Sequence, residues 1–215
     1  MLSTVRSVDE KSAAVFVPEK LTYAALKQAA DGCEGCELYK YATQTVFGEG
    51  KISSRCMFVG EQPGDEEDLV GRPFIGPAGR LLDKALLEAG IERSAVYLTN
   101  VVKHFKWKPK GKRRLHQKPK AGEIRACEPW LRSELELIRP TILVCLGATA
   151  AQTLLGKGFK VTESRGEWLE TDLAAKVMAT VHPSSILRAP DSAARQEQYR
   201  HFLSDLAMVS RELSQ

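Results

Sequence analysis

Residues 56–65 read CMFVGEQPGD, a short apolar run followed at once by a turn rich in glycine and proline. Four apolar runs of this kind are typical of buried strands, and they cover residues 56–59, 95–98, 141–146 and 176–181. Apolar residues recur at helical spacing in other segments, over residues 77–88, 122–138, 148–155 and 192–212. Buried strands that alternate with helices predict a parallel sheet with helices on both faces. We therefore expect an α/β protein, a three-layer α/β/α sandwich whose central, mainly parallel sheet has four strands.

The composition predicts one soluble domain over residues 1–215, because 43% of the residues are hydrophobic and 27% are charged. We expect the first 15 residues to be loose. The chain shows neither a signal-peptide pattern nor an apolar run of about 18 residues, so we expect no membrane contact and a cytoplasmic location. Nothing in the sequence indicates oligomerisation, and we expect a monomer.

The positive charge of the chain is concentrated in one segment. Residues 103–120 hold nine Lys or Arg and no Asp or Glu, although the net charge of the whole chain is only +4. The rest of the chain has 22 basic and 27 acidic residues, a balance of −5. A basic patch on a mildly acidic body predicts contact with a polyanion. The alternative is a solvated, mobile loop without a ligand.

Four of the five cysteines have the spacing of a single metal centre. Cys33 and Cys36 form a Cys-x-x-Cys pair, and 17 residues separate Cys127 from Cys145. In a reducing compartment such cysteines indicate metal binding before disulfides, and both zinc and iron–sulfur clusters use four thiolates. The fifth, Cys56, lies in an apolar run and is predicted to be a buried free thiol.

The polar motifs of the chain follow its predicted strands. The first strand runs into the GEQPGD turn, the second ends at Asn100, the third ends at Gly147, and the fourth ends at His182. In open α/β sheets, ligands bind outside the carboxyl ends of the strands. The sequence therefore predicts a ligand crevice at this edge of the sheet.

Acidic residues near the first strand end are candidates for proton transfer. Glu61, Asp65 and Asp68 could act as bases or orient a histidine. The alternative is that they are solvated acids at a helix start, where the helix dipole favours them.

Three other side chains suit a flat, polar ligand. Phe74, in a Gly- and Pro-rich loop, could stack on a base or could simply fill the core. The amide of Asn100 fits the edge of a pyrimidine or caps a turn. His182, held in an extended conformation before Pro183, could donate a hydrogen bond to a ligand oxygen or serve a structural role.

Taken together, these motifs resemble the uracil-DNA glycosylase superfamily, in particular its iron–sulfur, family-four branch. The resemblance covers about residues 30–210 and rests on GEQPGDEEDLVGRPFIGPAGRLLD (60–83), TNVVKH (99–104), LGATA (146–150) and HPSS (182–185), which occur in the order of the family. The four cysteines match the ligand pattern of that branch, so the resemblance implies a [4Fe–4S] cluster, with zinc as the rival metal.

Two features resemble the X-type subgroup, which stays covalently attached to uracil-containing DNA. Gln62 stands where ordinary family-four enzymes usually have Ala or Gly, and residues 112–116, KRRLH, form an insertion that those enzymes lack. The resemblance implies that His116 attacks the sugar C1′ and that Glu61 orients or deprotonates it. The expected substrate is uracil-containing DNA, single-stranded DNA preferred, which would associate the protein with the nucleoid.

The resemblance also implies a role for each remaining site residue. Phe74 would stack on uracil, Asn100 would read its O4/N3 edge, and His182 would donate to O2. Gln62 would hold the base or the loop, and Arg114 would anchor a phosphate or the loop. The complete expected set has two parts: catalytic His116, Glu61, Gln62, His182 and Asp65, and substrate-binding Phe74, Asn100, Asp68, Arg114, Lys103 and Ser184. Two alternatives stay open at this point, an ordinary turnover glycosylase and a non-catalytic nucleic-acid-binding protein with a metal centre.

Overall fold

The computed structural model describes residues 11–215. The strands in this part of the chain are β1 (Cys56–Gly60), β2 (Val96–Asn100), β3 (Trp107–Lys110), β4 (Arg113–His116), β5 (Ile142–Leu146), β6 (Trp168–Thr171) and β7 (Ala174–Thr180). The helices are α1 (Tyr23–Asp31), α2 (Asp65–Val70), α3 (Pro77–Glu88), α4 (Ala121–Ile138), α5 (Ala148–Leu155), α6 (Val161–Ser164), α7 (Pro183–Leu187) and α8 (Ser192–Leu213). Short 3-10 helices cover Ala13–Phe16, Glu37–Lys40 and Arg93–Ala95.

The central sheet has the strand order β2-β1-β5-β7-β6. Strands β2, β1, β5 and β7 are parallel, and β6 pairs with β7 in the antiparallel sense at one edge. The predicted α/β class with a mainly parallel sheet is confirmed, and the four predicted strands are present with ends shifted by at most two residues. The predicted number of four strands was too low, because β6 is short and only partly buried and so lacks a continuous apolar run.

Different helices cover the two faces of the sheet. In β1, Met57 and Val59 belong to a core with α1, α4 and α5, whereas Cys56 and Phe58 belong to a core with α3 and α8. This division follows from the strand itself, since successive side chains point to opposite faces. The result is the predicted three-layer sandwich, with Cys56 as a buried free thiol.

The central part of the basic segment, residues 107–116, is a hairpin and not an irregular loop. Strands β3 and β4 pair in the antiparallel sense around a turn at Gly111, whose φ of 59° suits glycine. Trp107 lies opposite His116 in the register, and Pro109 lies opposite Arg114. Because residues alternate between the two faces of a hairpin, these four share one face. Lys108, Lys110 and Arg113 belong to the other.

The N-terminal segment that the sequence predicts to be loose lies partly outside the described residues, which begin at residue 11. Within them, Ala13–Phe16 is helical and Ala13 is fully buried, so ordered structure begins earlier than residue 16. In residues 11–215, no helix combines the length and the apolar character needed to cross a membrane.

Candidate active site

The carboxyl ends of the parallel strands meet in one place, as the strand-end motifs predict. Gly60 ends β1, and a Cβ added there would lie 2.4 Å from Asn100 Oδ1 and 2.7 Å from the Phe74 ring. A Cβ at Gly147, after β5, would lie 2.9 Å from the Cβ of His182. Glycine at these two positions therefore lets the candidate base-binding groups come together.

Phe74 is held in a strained conformation beside this crevice. Its φ is 54°, a left-handed value that a bulky side chain rarely adopts. The guanidinium of Arg93 donates to its carbonyl at 3.1 Å, and its ring stacks on His182 with a centroid distance of 6.1 Å and an interplanar angle of 30°. Strain of this kind is concentrated at functional sites, where the surrounding structure maintains it.

The amide of Asn100 is available to a ligand. The residue is only 3% exposed, and its side-chain amide has no hydrogen-bond partner among residues 11–215. A nearly buried amide next to an aromatic ring can accept and donate hydrogen bonds to the edge of a base. This geometry agrees with the base-reading role that the sequence indicates.

The hydrogen bonds of His182 define which ring nitrogen carries the proton. The backbone N–H of Ser184 donates to His182 Nδ1 at 3.1 Å, so the neutral ring carries its hydrogen on Nε2. Burial, with Arg188 and His116 as further causes, lowers the pKa of His182 to about 4. The ring is therefore neutral near pH 7 and presents an Nε2–H donor, and Ser184 orients this donor.

The second histidine, His116, stands at the end of β4 and contacts Glu61. His116 Nε2 lies 3.4 Å from Glu61 Oε1, and the His116 side chain is 51% exposed. The hydroxyl of Thr149 donates to the other carboxylate oxygen, Oε2. The pKa of His116 lies below its ordinary value. Burial is the largest cause, Glu61 opposes it by raising the pKa, and Arg188 lowers the pKa further. A neutral, accessible imidazole next to a carboxylate can act as a nucleophile.

Gln62 holds the base of the hairpin at both ends. Its Nε2 donates to the carbonyls of Lys106 at 3.3 Å and Gln117 at 3.0 Å, and its Oε1 accepts from the Lys106 N–H at 3.1 Å. Lys106 precedes β3 and Gln117 follows β4, so one buried amide fixes both strands. Of the two roles expected for Gln62, the structure shows the loop-holding one.

Arg114 likewise anchors the loop. Its guanidinium donates to Asp68 Oδ2 at 2.6 Å and lies 2.5 Å from Asp65 Oδ1. The rings of Phe105 and Trp107 lie 5.4 Å and 5.5 Å from it. Asp65 and Asp68 therefore hold the hairpin, and they do not stand free beside the crevice.

Two expected substrate-binding residues lie inside the protein. Asp68 is fully buried, and its carboxylate also accepts from the Thr43 N–H at 2.9 Å. Lys103 is 1% exposed, and its Nζ binds Glu134, the Thr99 hydroxyl and the Asn100 carbonyl. Their substrate-binding assignment was wrong as a direct contact, because both side chains have all their partners within the fold.

Sequence reasoning missed Glu67, Glu134 and Thr149. Glu67 is buried on α2 and accepts from the Gly76 N–H at 3.0 Å. It therefore joins α2, which follows the GEQPGD turn, to the loop before α3. Glu134 is buried on α4 and accepts from Tyr97, Thr99 and Lys103. The signal was present for Glu134, since an acid on the apolar face of a helix needs a buried partner.

The predicted metal centre is only partly assembled. Cys33 Sγ accepts from the Trp130 Nε1–H at 3.2 Å, and Cys127 Sγ accepts from the Lys103 N–H at 3.2 Å. Burial raises the pKa of Cys127 to about 12, although the charge and the N–H of Lys103 lower it. Cys145 is buried in β5. Within residues 11–215, no three His, Cys, Asp or Glu side chains form a group that could hold a metal ion. The cysteines as placed therefore do not fit a cluster without rearrangement.

The chain is similar to known proteins over most of its length. The model of the Uracil DNA glycosylase superfamily matches residues 47–207. A type-4 uracil-DNA glycosylase of Thermotoga maritima is 43% identical over 157 residues, which cover 73% of this chain and 78% of that protein. The type-4 enzyme of Sulfurisphaera tokodaii is 37% identical over 77% of this chain and 76% of its own length. The type-4 enzyme of Pyrobaculum aerophilum is 35% identical, over 85% of this chain and 90% of its own length.

Proposed function

Because the chain belongs to the uracil-DNA glycosylase superfamily, we propose that it removes uracil from DNA and keeps the deoxyribose as a covalent adduct on His116. The observation that carries the covalent part is the placement of His116. It stands half-exposed at the strand-end crevice, next to Glu61 and across from the neutral His182, on a hairpin that Gln62 and Arg114 fix in place.

Uracil would enter the crevice between Phe74, Asn100 and His182. Phe74 offers a ring for stacking, and the unpartnered amide of Asn100 would bind the O4/N3 edge. Cytosine presents a donor where uracil presents an acceptor at position 4, so the wrong base would leave buried polar groups unpaired. Single-stranded DNA is the preferred substrate in this proposal, because no base pair must be broken to expose the uracil.

Three movements of electrons and protons make up the proposed reaction. The N1–C1′ bond breaks, and its electron pair leaves with uracil, whose O2 accepts a hydrogen bond from His182 Nε2–H. The lone pair of a His116 ring nitrogen then forms the new bond to C1′ of the oxocarbenium-like sugar. The alkylated imidazole releases its ring proton, which Glu61 is placed to accept. The two groups lie 3.4 Å apart, and contacts of this kind shorten as the transition state forms.

We also propose that the four cysteines hold a [4Fe–4S] cluster, with a structural role. Support comes from the Cys-x-x-Cys spacing of Cys33 and Cys36, and from the Trp130 and Lys103 N–H groups, which donate to the sulfurs of Cys33 and Cys127. When bound, the cluster would tie the Cys33 segment to α4 and β5, and no reaction step depends on it. Analysis of the purified protein for iron, acid-labile sulfide and zinc would decide between the cluster and the rival metal.

The covalent adduct can be tested on a denaturing gel with a labelled single-stranded oligonucleotide that contains one uracil. We expect a boiling-resistant, slower band with the unaltered protein and none with His116→Ala. A thymine oligonucleotide should give no band. The exposed His201 on α8 offers a matched control, because His201→Ala should leave the band unchanged.

The gel also separates the alternatives. Abasic product that exceeds the enzyme, without a stable band, would identify an ordinary turnover glycosylase. Neither band nor abasic product would leave a nucleic-acid-binding protein without this activity. In both cases the covalent proposal would be wrong.

A further inference from the structure

An exposed apolar strip borders the basic hairpin. Three large side chains that remain exposed, Tyr41 at 65%, Leu69 at 56% and Val70 at 58%, lie on this side of the molecule. The Trp107 indole N–H, at the start of β3, donates to the Tyr41 carbonyl at 2.9 Å. The side chain of Gln44 donates to the Leu69 carbonyl at 2.9 Å. Residues 41–44 therefore lie between the hairpin and α2.

This strip is held rigidly. Arg114 donates to the Thr43 hydroxyl at 3.1 Å, and Asp68 accepts from the Thr43 N–H. Thus the groups that anchor the hairpin also fix residues 41–44. Tyr41 has its backbone carbonyl occupied by Trp107, while its ring stays largely in solvent.

The charge around the strip suits a nucleic acid. Lys108, Lys110, Lys112 and Arg113 are exposed, and none of them forms an ion pair within residues 11–215. The nearby acids are compensated. Glu37 pairs with Lys11 and Lys40, which hold its pKa at about 2, and Arg114 pairs with Asp65 and Asp68. The Tyr41 ring therefore borders a hairpin that carries uncompensated cations, of which Lys108, Lys110 and Arg113 lie on the face opposite to Trp107. Aromatic rings and cations together bind single-stranded nucleic acid.

We propose that Tyr41 is a stacking platform for an unpaired nucleobase next to the uracil, while the hairpin cations bind the adjoining phosphates. The inference rests on the proposed function, because the uracil itself would occupy the crevice. Trp107 connects the two places, since it lies opposite His116 in the hairpin and binds the Tyr41 carbonyl. A strand with its uracil at His116 would therefore pass Tyr41 with a flanking nucleotide.

Stacking and phosphate contacts can be measured separately. Removal of an aromatic ring that stacks on a base lowers affinity without changing the number of neutralised phosphates. Removal of a lysine lowers the slope of log affinity against log salt by roughly 0.7 per phosphate on a single strand. We therefore expect Tyr41→Ala to weaken binding about tenfold at every salt concentration, with an unchanged slope. Lys110→Ala should lower the slope.

The experiment uses fluorescence anisotropy with a labelled single-stranded thymine oligonucleotide and the full chain. The probe contains no uracil, so no adduct forms and affinity is read alone. Tyr41→Phe is the matched control and should bind like the unaltered protein, because the ring remains. Leu87→Ala, at a side chain that is 78% exposed on α3, controls for loss of an exposed apolar group elsewhere.

The outcomes distinguish this proposal from the one on which it rests. If Tyr41→Ala and the unaltered protein bind alike, or if the unaltered protein does not bind the probe, the platform is wrong. The gel with uracil DNA is run in parallel on the same preparations. A normal adduct together with unchanged binding by Tyr41→Ala would overturn the platform alone, whereas a missing adduct in the unaltered protein would overturn the covalent function.

Discussion

Residues 103–120 supply the basic partner of three pairs with a glutamate, and the surroundings of two of them, Lys103–Glu134 and His116–Glu61, differ sharply. Lys103 and Glu134 are 1% and 0% exposed, and hydrogen bonds from the fold surround both groups. His116 and Glu61 are 51% and 20% exposed, and their contact of 3.4 Å is long. The first pair has no capacity left for a ligand, whereas the second keeps a ring nitrogen accessible. Burial and the number of hydrogen-bond partners therefore separate the structural pair from the pair that is proposed to react.

The largest effect should come from breaking the buried pair. Lys103→Met leaves the Glu134 charge without its cation, which we expect to lower the free energy of unfolding by roughly 3–5 kcal/mol. Urea unfolding followed by circular dichroism measures this change. Lys160→Met is the matched control, since Lys160 pairs with Glu163 at 2.9 Å on the surface, and its loss should cost less than about 1 kcal/mol. Equal losses in the two variants would show that the buried pair has no special structural role.

The second-largest effect should come from a change in the pair of His116 and Glu61, which is proposed to react. Glu61→Gln keeps the size of the side chain but removes the charge that orients His116 and accepts its proton. We expect the rate of adduct formation to fall about 100-fold, at the lower end of the range for a general base. Rapid-quench samples on denaturing gels measure this rate. An unchanged rate would mean that His116 reacts without help from Glu61.

The pH dependence of the rate of adduct formation gives a second test of the contact between Glu61 and His116. In the proposed mechanism the neutral ring of His116 is the nucleophile, so the rate of adduct formation should be level at high pH and fall as the pH drops through the His116 pKa. Burial places this pKa below the ordinary value of about 6.5, and Glu61 partly opposes that shift. Glu61→Gln should therefore move the acid limb to lower pH. A limb that moves to higher pH, or stays in place, would contradict the contact between the two side chains.

The contrast between the two pairs also explains what the sequence could predict. Apolar runs such as residues 56–59 predicted the strands because burial on both faces leaves a local pattern. The strand-end rule placed His182 and Asn100 together for a different reason, since the topology of a parallel sheet brings those positions to one edge.

Hydrogen-bond partners, in contrast, depend on three-dimensional contacts. The 103–120 segment shows its charge but hides its hairpin, because Lys and Arg on a two-stranded ribbon have no apolar alternation. Lys103 looks like the other lysines of its segment, and only the buried Glu134 on α4 shows that it is structural. Gln62 stands 44 residues from Lys106, and no local pattern predicts that its amide holds the hairpin.

The smallest effect should come from Thr149, which binds Glu61. Thr149 on α5 donates to Glu61 Oε2, which leaves Oε1 facing His116. Loss of a hydrogen bond to a charged group costs about 1.5–3 kcal/mol, and a carboxylate that can still bind water should lose only part of it. Thr149→Val should thus slow adduct formation about 3- to 10-fold and move the acid limb of the pH–rate profile toward that of Glu61→Gln. Thr149→Ser keeps the hydroxyl and should leave the rate and the acid limb unchanged. Thr153→Val, one turn further along α5, removes a hydroxyl that donates to the Thr149 carbonyl at 2.8 Å and serves as the control. If both valine variants slow the reaction equally and leave the acid limb in place, Thr149 supports the helix and does not position Glu61.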